Sequence, residues 1–306
     1  MKNLKVIYMG TPEFSVPILK YLKDNTNVVL VVCQPDKISH KSKMPSYSAV
    51  KTFALENGID VFQPEKIRND FEIISELNPD LIVTCAYGQI IPQAILDIPR
   101  LGCINVHASI LPYYRGASPI QSAILNGEKE TGVTIMYMDK GMDTGDIISQ
   151  VNVDILFEDN NETLHAKLAD AGVELLEKTL PLIVNGENKR RKQDDNLATY
   201  TRLLTREDEK IDFHKTGEEI INQIRAFAPS PMAYFVLNNQ EIKVLKASFI
   251  PEDVSEIGKV IFEKKAMYIT CSNGLISLEI VKPFGKKQMP IVAYLNGIKK
   301  EENLYV

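Results

Sequence analysis

The sequence predicts an α/β protein in which a doubly wound, mostly parallel sheet is followed by a small β-barrel. In the first two-thirds of the 306 residues, short runs rich in valine and isoleucine alternate with segments of helical character. This alternation is typical of parallel strands that helices cover on both faces. After about residue 206 short strands recur instead, separated by glycine and asparagine turns, which indicates a small barrel.

The first part consists of five strands with helices between them. The predicted strands are 4–9, 28–33, 81–86, 103–106 and 133–138, which we interpret as buried and parallel. The predicted helices are 15–22, 71–77, 118–125 and 163–184. Asn78-Pro79, Asn126-Gly127 and Asn185-Gly186 end three of the helices, because the residue before a proline disfavours helix and glycine readily follows a helix end. The pattern predicts a Rossmann-like sheet with ligands at the carboxyl ends of its strands.

A polar segment separates the two parts. Residues 187–196 are almost wholly polar, so we interpret them as a linker or exposed connection. A helix at 217–226 then leads to a proline turn at 229–231. The strands predicted after it are 233–237, 242–247, 258–262, 267–271 and 275–281. We therefore expect a first domain over residues 1–187, a linker over 188–205, and a barrel resembling the oligonucleotide-binding (OB) fold over 206–306.

Composition argues against a membrane protein and against a cysteine-based metal or redox site. Hydrophobic residues make up 44% and charged residues 25%, and no apolar run is long enough to cross a bilayer, so we expect no membrane partner. The four cysteines form no CxxC pair, which argues against a zinc site or a redox dithiol and fits a cytoplasmic protein. A net charge of −5 argues mildly against a coat of nucleic acid but allows a local basic patch.

The most informative segment is the strand that ends in Asn105, Val106 and His107. Side chains alternate across a strand, so Asn105 and His107 share one face while Ile104 and Val106 share the other. Two polar groups at the end of a parallel strand can face the ligand crevice. They can equally cap the loop that follows, and the spacing leaves both interpretations open.

A second segment, 133–146, is a strand that ends in a glycine-flanked acidic loop. The loop presents Asp139, Asp143 and Asp146. Carboxylates there can take part in chemistry, or they can stabilise a solvated turn by bonding to nearby backbone amides. Periodicity does not choose which aspartate matters.

Three stretches of this sequence resemble a known family. NVHASILP, RGASPI and ETGVTIMYMDKGMDTGDII are similar to the folate-dependent formyltransferases, and the resemblance covers nearly the whole chain. It implies that the first domain is catalytic, with the catalytic residues Asn105, His107 and Asp143, and that no metal is needed. It also implies 10-formyltetrahydrofolate as formyl donor. The implied folate-binding residues are Ser109, Ile110, Leu111 and Pro112, with Ile110 in place of a leucine, and the loop of Tyr87, Gly88, Gln89 and Ile90.

The resemblance also implies a mechanism. An amine attacks the formyl carbon, and donors from Asn105 and His107 stabilise the oxyanion that develops. Asp143 orients or charges His107 and helps to move the proton of the amine through water.

The opening MGTPEFSVPIL and the C-terminal pattern are most similar to the branch that formylates methionine on initiator tRNA. In that case the barrel binds tRNA, and we expect a cytoplasmic monomer whose Lys37, Lys41 and Lys43 contact tRNA phosphates. A solvated lysine loop is the alternative. The loop lacks the arginine- and glycine-rich run usual in this branch, and Pro229-Ser230-Pro231 lies in a stretch that departs at three positions from the usual NPWPGAY.

Other functions are kept as alternatives. A nucleotide-sugar N-formyltransferase uses the same three catalytic residues and can carry a similar C-terminal part. A formyltetrahydrofolate hydrolase is expected to differ at the N-terminus and to lack this part. A non-catalytic folate or nucleotide binder is disfavoured because all three catalytic positions are present. A Rossmann dehydrogenase is disfavoured because Met9-Gly10-Thr11-Pro12 does not form the GxGxxG motif.

Overall fold

The computed structural model describes residues 1–38, 45–298 and 304–306. Its strands are β1 Lys5–Gly10, β2 Asn27–Val32, β3 Lys37–Ile38, β4 Pro45–Ser46, β5 Val61–Phe62, β6 Leu81–Cys85, β7 Cys103–His107, β8 Arg115–Gly116, β9 Glu130–Tyr137, β10 Ile147–Asp154, β11 Tyr200–Thr201, β12 Ala233–Leu237, β13 Gln240–Pro251, β14 Val260–Phe262, β15 Met267–Cys271, β16 Gly274–Pro283 and β17 Met289–Pro290. Its α-helices are α1 Val16–Asn25, α2 Ala49–Glu56, α3 Glu72–Leu77, α4 Gln93–Leu96, α5 Pro119–Leu125, α6 Asn161–Asn185, α7 Gly217–Phe227 and α8 Ile291–Leu295.

The chain divides into two compact units. Unit 1 contains residues 1–119, 130–154 and 165–202, and unit 2 contains residues 120–129, 155–164 and 203–306. The domain boundaries drawn from the sequence stay a prediction. Among the helices in the described ranges, none has the length and apolar character that a membrane span requires.

The sheet of unit 1 has the strand order β10-β9-β7-β6-β1-β2-β5. The five strands from β7 to β5 in this order run parallel to one another. The chain runs outward from β1 to β2 and β5, then returns to β6 on the other side of β1, so the strand order reverses between β1 and β6. This confirms the predicted doubly wound sheet, in which ligands bind at the reversal.

The predicted direction of the last strand, 133–138, is wrong. β9 is antiparallel to β7, with Ile104 opposite Tyr137 and His107 opposite Thr134, and β10 adds a further antiparallel strand at the edge. An apolar run shows that a strand is buried, but it carries no information on direction. The β9–β10 loop consequently turns back beside β7, where the amide of Met138 donates to the carbonyl of Cys103 at 2.8 Å.

The backbones at the strand-order reversal approach closely. A Cβ on Gly10, at the end of β1, would lie 2.9 Å from the carbonyl oxygen of Cys85 at the end of β6, so a side chain there would force the strands apart. The hydroxyl of Ser15 donates to the same carbonyl at 2.6 Å. Thr11 Oγ1 donates to the carbonyl of Tyr87 at 3.0 Å. These contacts fix the loop after β6 at the edge of the crevice.

Residues 188–202 pack within unit 1, although their polarity predicts an exposed connection. Arg191 and Ile147 exchange two backbone hydrogen bonds of 2.8 and 2.9 Å, and β11 pairs with β8. Gln193 is only 6% exposed. The interpretation of this residue as exposed is wrong, because a polar side chain can be buried when its hydrogen-bonding groups have partners.

Unit 2 has an antiparallel sheet in the order β12-β13-β16-β15-β14, with β17 also paired to β16. The register of β13 shifts between Val244 and Ala247. Such bulges bend a strand, and β13 pairs with β12 on one side and β16 on the other. Helix α7 starts at a capping box formed by Thr216 and Glu219. This OB-like antiparallel sheet confirms the predicted second architecture.

Candidate active site

Asn105 and His107 lie on the same face of β7, as the alternation of side chains predicts. Ile104 and Val106, on the other face, are 0% and 2% exposed. The polar face is directed at the β9–β10 loop, where both Asn105 and His107 meet Asp143. Both side chains thus have a common partner from a distant part of the sequence, and His107 in addition bonds to the loop that follows β7, so the two interpretations of this pair are compatible.

The carboxylate of Asp143 contacts three groups in unit 1. Its Oδ2 accepts from the amide of Gly116 at 2.8 Å and lies 3.7 Å from Nδ1 of His107. Its Oδ1 accepts from Nδ2 of Asn105 at 3.5 Å. Asp143 has a φ of 55°, in the left-handed region, which costs a non-glycine residue about 1–3 kcal/mol and is retained where surrounding contacts impose it.

The carboxamide of Asn105 has a defined orientation. The hydroxyl of Thr84, on the neighbouring strand β6, donates to Asn105 Oδ1 at 2.9 Å. Because a hydroxyl can donate only to the oxygen of the amide, Nδ2 points the other way, towards Asp143. An amide nitrogen carries two hydrogens, and among the described residues only Asp143 accepts from this one, over a long 3.5 Å. Asn105 is partly exposed, so this nitrogen can donate a further hydrogen bond to a ligand.

The ring of His107 is 6% exposed, and each of its two nitrogens lies near an oxygen. Nε2 lies 3.0 Å from the carbonyl oxygen of Tyr114. A carbonyl can only accept, so Nε2 carries a hydrogen and donates. Nδ1 faces Asp143, and a proton placed there has a carboxylate as its partner. Nδ1 can therefore gain or lose a proton beside Asp143 while Nε2 keeps its hydrogen bond to the carbonyl of Tyr114.

The predicted folate signature is part of the frame of the site. Ser109 is 1% exposed and Leu111 2% exposed, while Ile110 and Pro112 are half-buried. The hydroxyl of Ser109 donates to the carbonyl of Tyr113 at 2.7 Å. Thr134 on β9 donates to the carbonyl of Ser109 at 2.6 Å and accepts from the amide of Leu111 at 3.1 Å. These bonds fix the backbone of the segment; its contact with folate stays a prediction.

The second predicted folate loop presents an apolar side chain to solvent. Tyr87 is 4% exposed, and Ile90 is 80% exposed. Gln89 anchors the loop by accepting from the amide of Ile67 at 2.9 Å, and Gly88 has a φ of +89°, which a glycine adopts without strain. The Tyr87 hydroxyl is buried without a hydrogen-bond partner in the part of the chain that the structure describes. Its burial raises the pKa of Tyr87 above the usual range.

Of the three predicted tRNA-contacting lysines, Lys37 lies in β3 and is exposed, while Lys41 and Lys43 lie outside the described residues. The base of this loop is well fixed. Asp36, beside Lys37, pairs with Lys51 at 2.5 Å. Gln34 donates to the carbonyl of Tyr87 at 3.0 Å, so the lysine loop and the predicted folate loop share a hydrogen bond.

The sequence did not single out five residues that frame the site: Thr84, Tyr114, Arg115, Gly116 and Gln193. Arg115 and Gly116 begin the RGASPI stretch, so the resemblance contained them without assigning a role. Tyr114 acts through its carbonyl, which no side-chain pattern reveals. Gln193 lies in a polar run, where nothing in the sequence distinguishes a buried glutamine from its exposed neighbours.

The site has the groups for acid–base and oxyanion chemistry: an amide donor, an imidazole and a carboxylate. Cys103 opens the same strand, but burial raises the pKa of its thiol to about 12, so at neutral pH it is not a thiolate nucleophile. In the described ranges, no three histidine, cysteine, aspartate or glutamate side chains come together as metal ligands would.

Comparison with family models identifies both parts of the chain. The formyl transferase model matches residues 2–180, and the model of the formyl transferase C-terminal domain matches residues 203–299. A methionyl-tRNA formyltransferase of Macrococcus caseolyticus is 45% identical over 300 residues, covering 97% of this chain and 96% of its own. A methionyl-tRNA formyltransferase of Bacillus subtilis is 45% identical over 303 residues, with the same coverage of 97% and 96%.

Solved structures share the fold. A sugar 3-N-formyltransferase, crystallised with dTDP and 5-N-formyl-THF, superposes with a TM-score of 0.67 at 26% identity, covering 94% of this chain and 100% of that one. A methionyl-tRNA formyltransferase from Clostridium thermocellum gives a TM-score of 0.56 at 22% identity, over 80% of this chain and 93% of that one.

The contacts of the loop predict which of its aspartates matters. Asp143→Asn keeps an oxygen for Gly116 but removes the charge beside His107, so we expect turnover to fall about 10²–10³-fold. Asp139 accepts through Oδ1 from the Gly141 amide and the Thr144 hydroxyl, and an asparagine can do the same. Asp139→Asn should therefore change turnover only a few-fold. We expect the same of Asp146→Asn, because Asp146 accepts the amide of Tyr137 through its backbone carbonyl, which the substitution keeps. Steady-state rates of the three variants test this, and a larger loss in Asp139→Asn than in Asp143→Asn contradicts the assignment.

Proposed function

The chain belongs to the formyl transferase family, and we propose that it formylates methionyl initiator tRNA with 10-formyltetrahydrofolate as donor. The product is N-formylmethionyl-tRNA, which serves translation initiation. The observation that carries this proposal is the 45% identity to methionyl-tRNA formyltransferases over 97% of the chain, which includes the C-terminal part as well as the catalytic one. The identity to the sugar N-formyltransferase is 26%, which makes a nucleotide sugar the second choice of acceptor.

Several residues of unit 1 fit a reduced folate. A pterin has a flat face and an edge of donors and acceptors, which a site recognises with an apolar side chain and backbone groups. The exposed side chain of Ile90 can pack on the flat face, and the exposed backbone at Gly88 can bond to the polar edge. We propose that these residues, with Tyr87 and Gln89, hold the pterin, and that the segment from Ser109 to Pro112 borders the formyl end beside Asn105.

The proposed role of Asn105 is to stabilise negative charge. When bound, the folate supplies an activated formyl group, whose oxygen gains charge as the amine adds to its carbon. The Nδ2 donor of Asn105 is already turned towards the crevice by Thr84, so it needs no reorganisation to meet that charge. The Nε2 of His107 already donates to the carbonyl of Tyr114, so it can donate to the oxyanion only by releasing that carbonyl. We therefore propose that Asn105 supplies the larger share of oxyanion stabilisation.

The proposed role of His107 and Asp143 is to move the proton of the acceptor amine towards N10 of the folate, which leaves as tetrahydrofolate when its bond to the formyl carbon breaks. A carboxylate beside the imidazole gives a proton on Nδ1 a favourable partner. The amide of Gly116 donates to the same carboxylate oxygen that faces His107, so the pair stays aligned while the proton moves directly or through water. A monomer as the active form stays a prediction.

The tRNA acceptor requires a surface for phosphates. Lys37 is exposed on a loop that bonds to the predicted folate loop. In unit 2, Lys286 and Lys287 are exposed at the turn between β16 and β17. Lys246, by contrast, pairs with Glu279 at 2.9 Å and offers little net charge. We propose that tRNA phosphates contact Lys37, together with Lys41 and Lys43 outside the described residues, and that Lys286 and Lys287 make further contacts. A tRNA acceptor also supports action in the cytoplasm.

Removal of the two polar side chains of β7 tests the mechanism. We expect Asn105→Ala and His107→Ala each to lower turnover about 10²–10³-fold, as is usual for the loss of an oxyanion donor or a general base. Both side chains are held by a few hydrogen bonds at the rim of a buried sheet, so the fold should survive, which circular dichroism checks. Near-normal turnover in either variant would remove that residue from the mechanism.

A panel of acceptors tests the function itself. Formyl transfer should be fast with methionyl initiator tRNA and undetectable with dTDP-linked amino sugars; the reverse result would favour the sugar enzyme.

Binding of tRNA at increasing salt tests the lysines. A lysine that binds a phosphate releases counterions from the tRNA. Removing one such lysine should therefore flatten the slope of log affinity against log salt by roughly 0.7–0.9. We expect this for Lys37→Ala/Lys41→Ala/Lys43→Ala and for Lys286→Ala/Lys287→Ala, while Lys246→Ala, the matched control, keeps the wild-type slope. Folate affinity should not change. Wild-type slopes in both multiple variants would leave no basis for these tRNA contacts.

A further inference from the structure

We infer that Gln193 is a positioning residue for Asp143, an inference that deepens the proposed function and rests on it. Gln193 is 6% exposed within an otherwise exposed polar run. Its Nε2 donates to two backbone carbonyls of the β9–β10 loop, those of Asp143 and Gly145, each at 2.8 Å. Its Oε1 accepts from Nε and Nη2 of Arg115 at 3.1 and 2.8 Å. A carboxamide has two hydrogens and two lone pairs, so its hydrogen-bonding capacity is fully used.

The two bonds from Nε2 act on the residue whose backbone is strained. Asp143 is in the left-handed region, and its carbonyl and the carbonyl two residues later are both fixed by the same amide. A left-handed residue relaxes readily when its surroundings allow it. Such a relaxation would rotate the carboxylate away from Asn105 and His107. Gln193 therefore holds the conformation on which the carboxylate contacts depend, without touching the reacting atoms itself.

The bonds to Oε1 connect Gln193 to the other side of the site. Arg115 is 1% exposed, and its guanidinium also pairs with Asp195 at 2.8 Å and donates to the Tyr200 hydroxyl at 3.2 Å. Its neighbours in sequence are Tyr114 and Gly116. The carbonyl of Tyr114 accepts from His107, and the amide of Gly116 donates to Asp143. The hydrogen bonds between Arg115 and Gln193 thus connect two segments of the site. One is the loop after β7, whose backbone contacts His107, and the other is the β9–β10 loop, which carries Asp143.

The backbone beside Gly116 leaves no room for adjustment on this side. Gly116 has a φ of +112°, and a Cβ there would lie 2.3 Å from the carbonyl oxygen of Thr201 on β11. Residues 193–201 consequently supply both the side chain that fixes the Asp143 loop and the strand against which Gly116 packs. The segment that follows the catalytic sheet is in this way part of the catalytic geometry.

Two substitutions separate the contacts of Gln193. Gln193→Met keeps the length of the side chain and removes the four hydrogen bonds to Asp143, Gly145 and Arg115. Gln193→Glu keeps the acceptor for Arg115 but replaces the two donors with an oxygen that repels the carbonyls of Asp143 and Gly145. We expect both variants to lower kcat about 10–100-fold, the range found when an orienting group is lost or a reacting group is misplaced by about 1 Å. KM for the folate should stay close to the wild-type value, because the bonds concern Asp143 and not the predicted folate loop.

The matched control is Gln223 in unit 2. It is 5% exposed, and its Nε2 also donates to two backbone carbonyls, those of Asp208 and Lys210, at 2.7 and 2.9 Å. Gln223→Met should lower Tm, as Gln193→Met does, and leave kcat unchanged. Amide hydrogen exchange at Gly116 is the second readout, since that amide donates to Asp143; it should speed up in both Gln193 variants and stay slow in Gln223→Met.

The outcomes distinguish a failure of the proposed function from a failure of the positioning role of Gln193. If the wild-type enzyme formylates no methionyl-tRNA while Gly116 exchange still speeds up in the Gln193 variants, the proposed function fails and the positioning role stands. If the Gln193 variants keep wild-type kcat, or lose Tm alone as Gln223→Met does, the positioning role is overturned. Unchanged exchange at Gly116 in both Gln193 variants overturns it as well, and this measurement needs no acceptor.

Discussion

The site depends on the direction in which one carboxylate points. Asp143 comes from a loop between two antiparallel strands, yet its oxygens lie beside a histidine and an asparagine of a parallel strand and accept the amide of Gly116. A left-handed backbone at Asp143 makes this direction possible. Such a conformation is unfavourable for a non-glycine residue and persists only where the surroundings impose it. The buried frame around the loop therefore serves to keep one side chain in place.

Three neighbouring strands, β9, β7 and β6, hold the polar groups of the site in place. β9 is antiparallel to β7. The β9–β10 loop therefore returns alongside β7 and does not leave the sheet at the carboxyl ends of the parallel strands. Alternation along β7 turns Asn105 and His107 towards the loop and turns Ile104 and Val106 into the core. Thr84 on β6 then selects the orientation of the Asn105 amide. Each step uses a neighbouring strand, so an ordinary α/β sheet can hold three polar groups that would otherwise be costly to bury.

The sequence predicts the parts of this arrangement that depend on local pattern. The central strands, the shared face of Asn105 and His107, and the long helix α6 follow from periodicity and stop signals, and the resemblance added Asp143 as their partner. The direction of β9 could not be predicted, because a doubly covered strand is apolar in either direction. Burial of Gln193 could not be predicted either, because its partners are backbone carbonyls and an arginine that only the fold brings together.

A double-mutant cycle on Asp143 and His107 tests most directly whether these residues act as one unit. Turnover is measured for Asp143→Asn, His107→Ala and the double variant under saturating donor and acceptor. If the carboxylate works through the imidazole, the double variant should lose about as much activity as the worse single variant, because either change alone disables the pair. A double-variant loss equal to the product of the two single losses would show independent action and contradict the account.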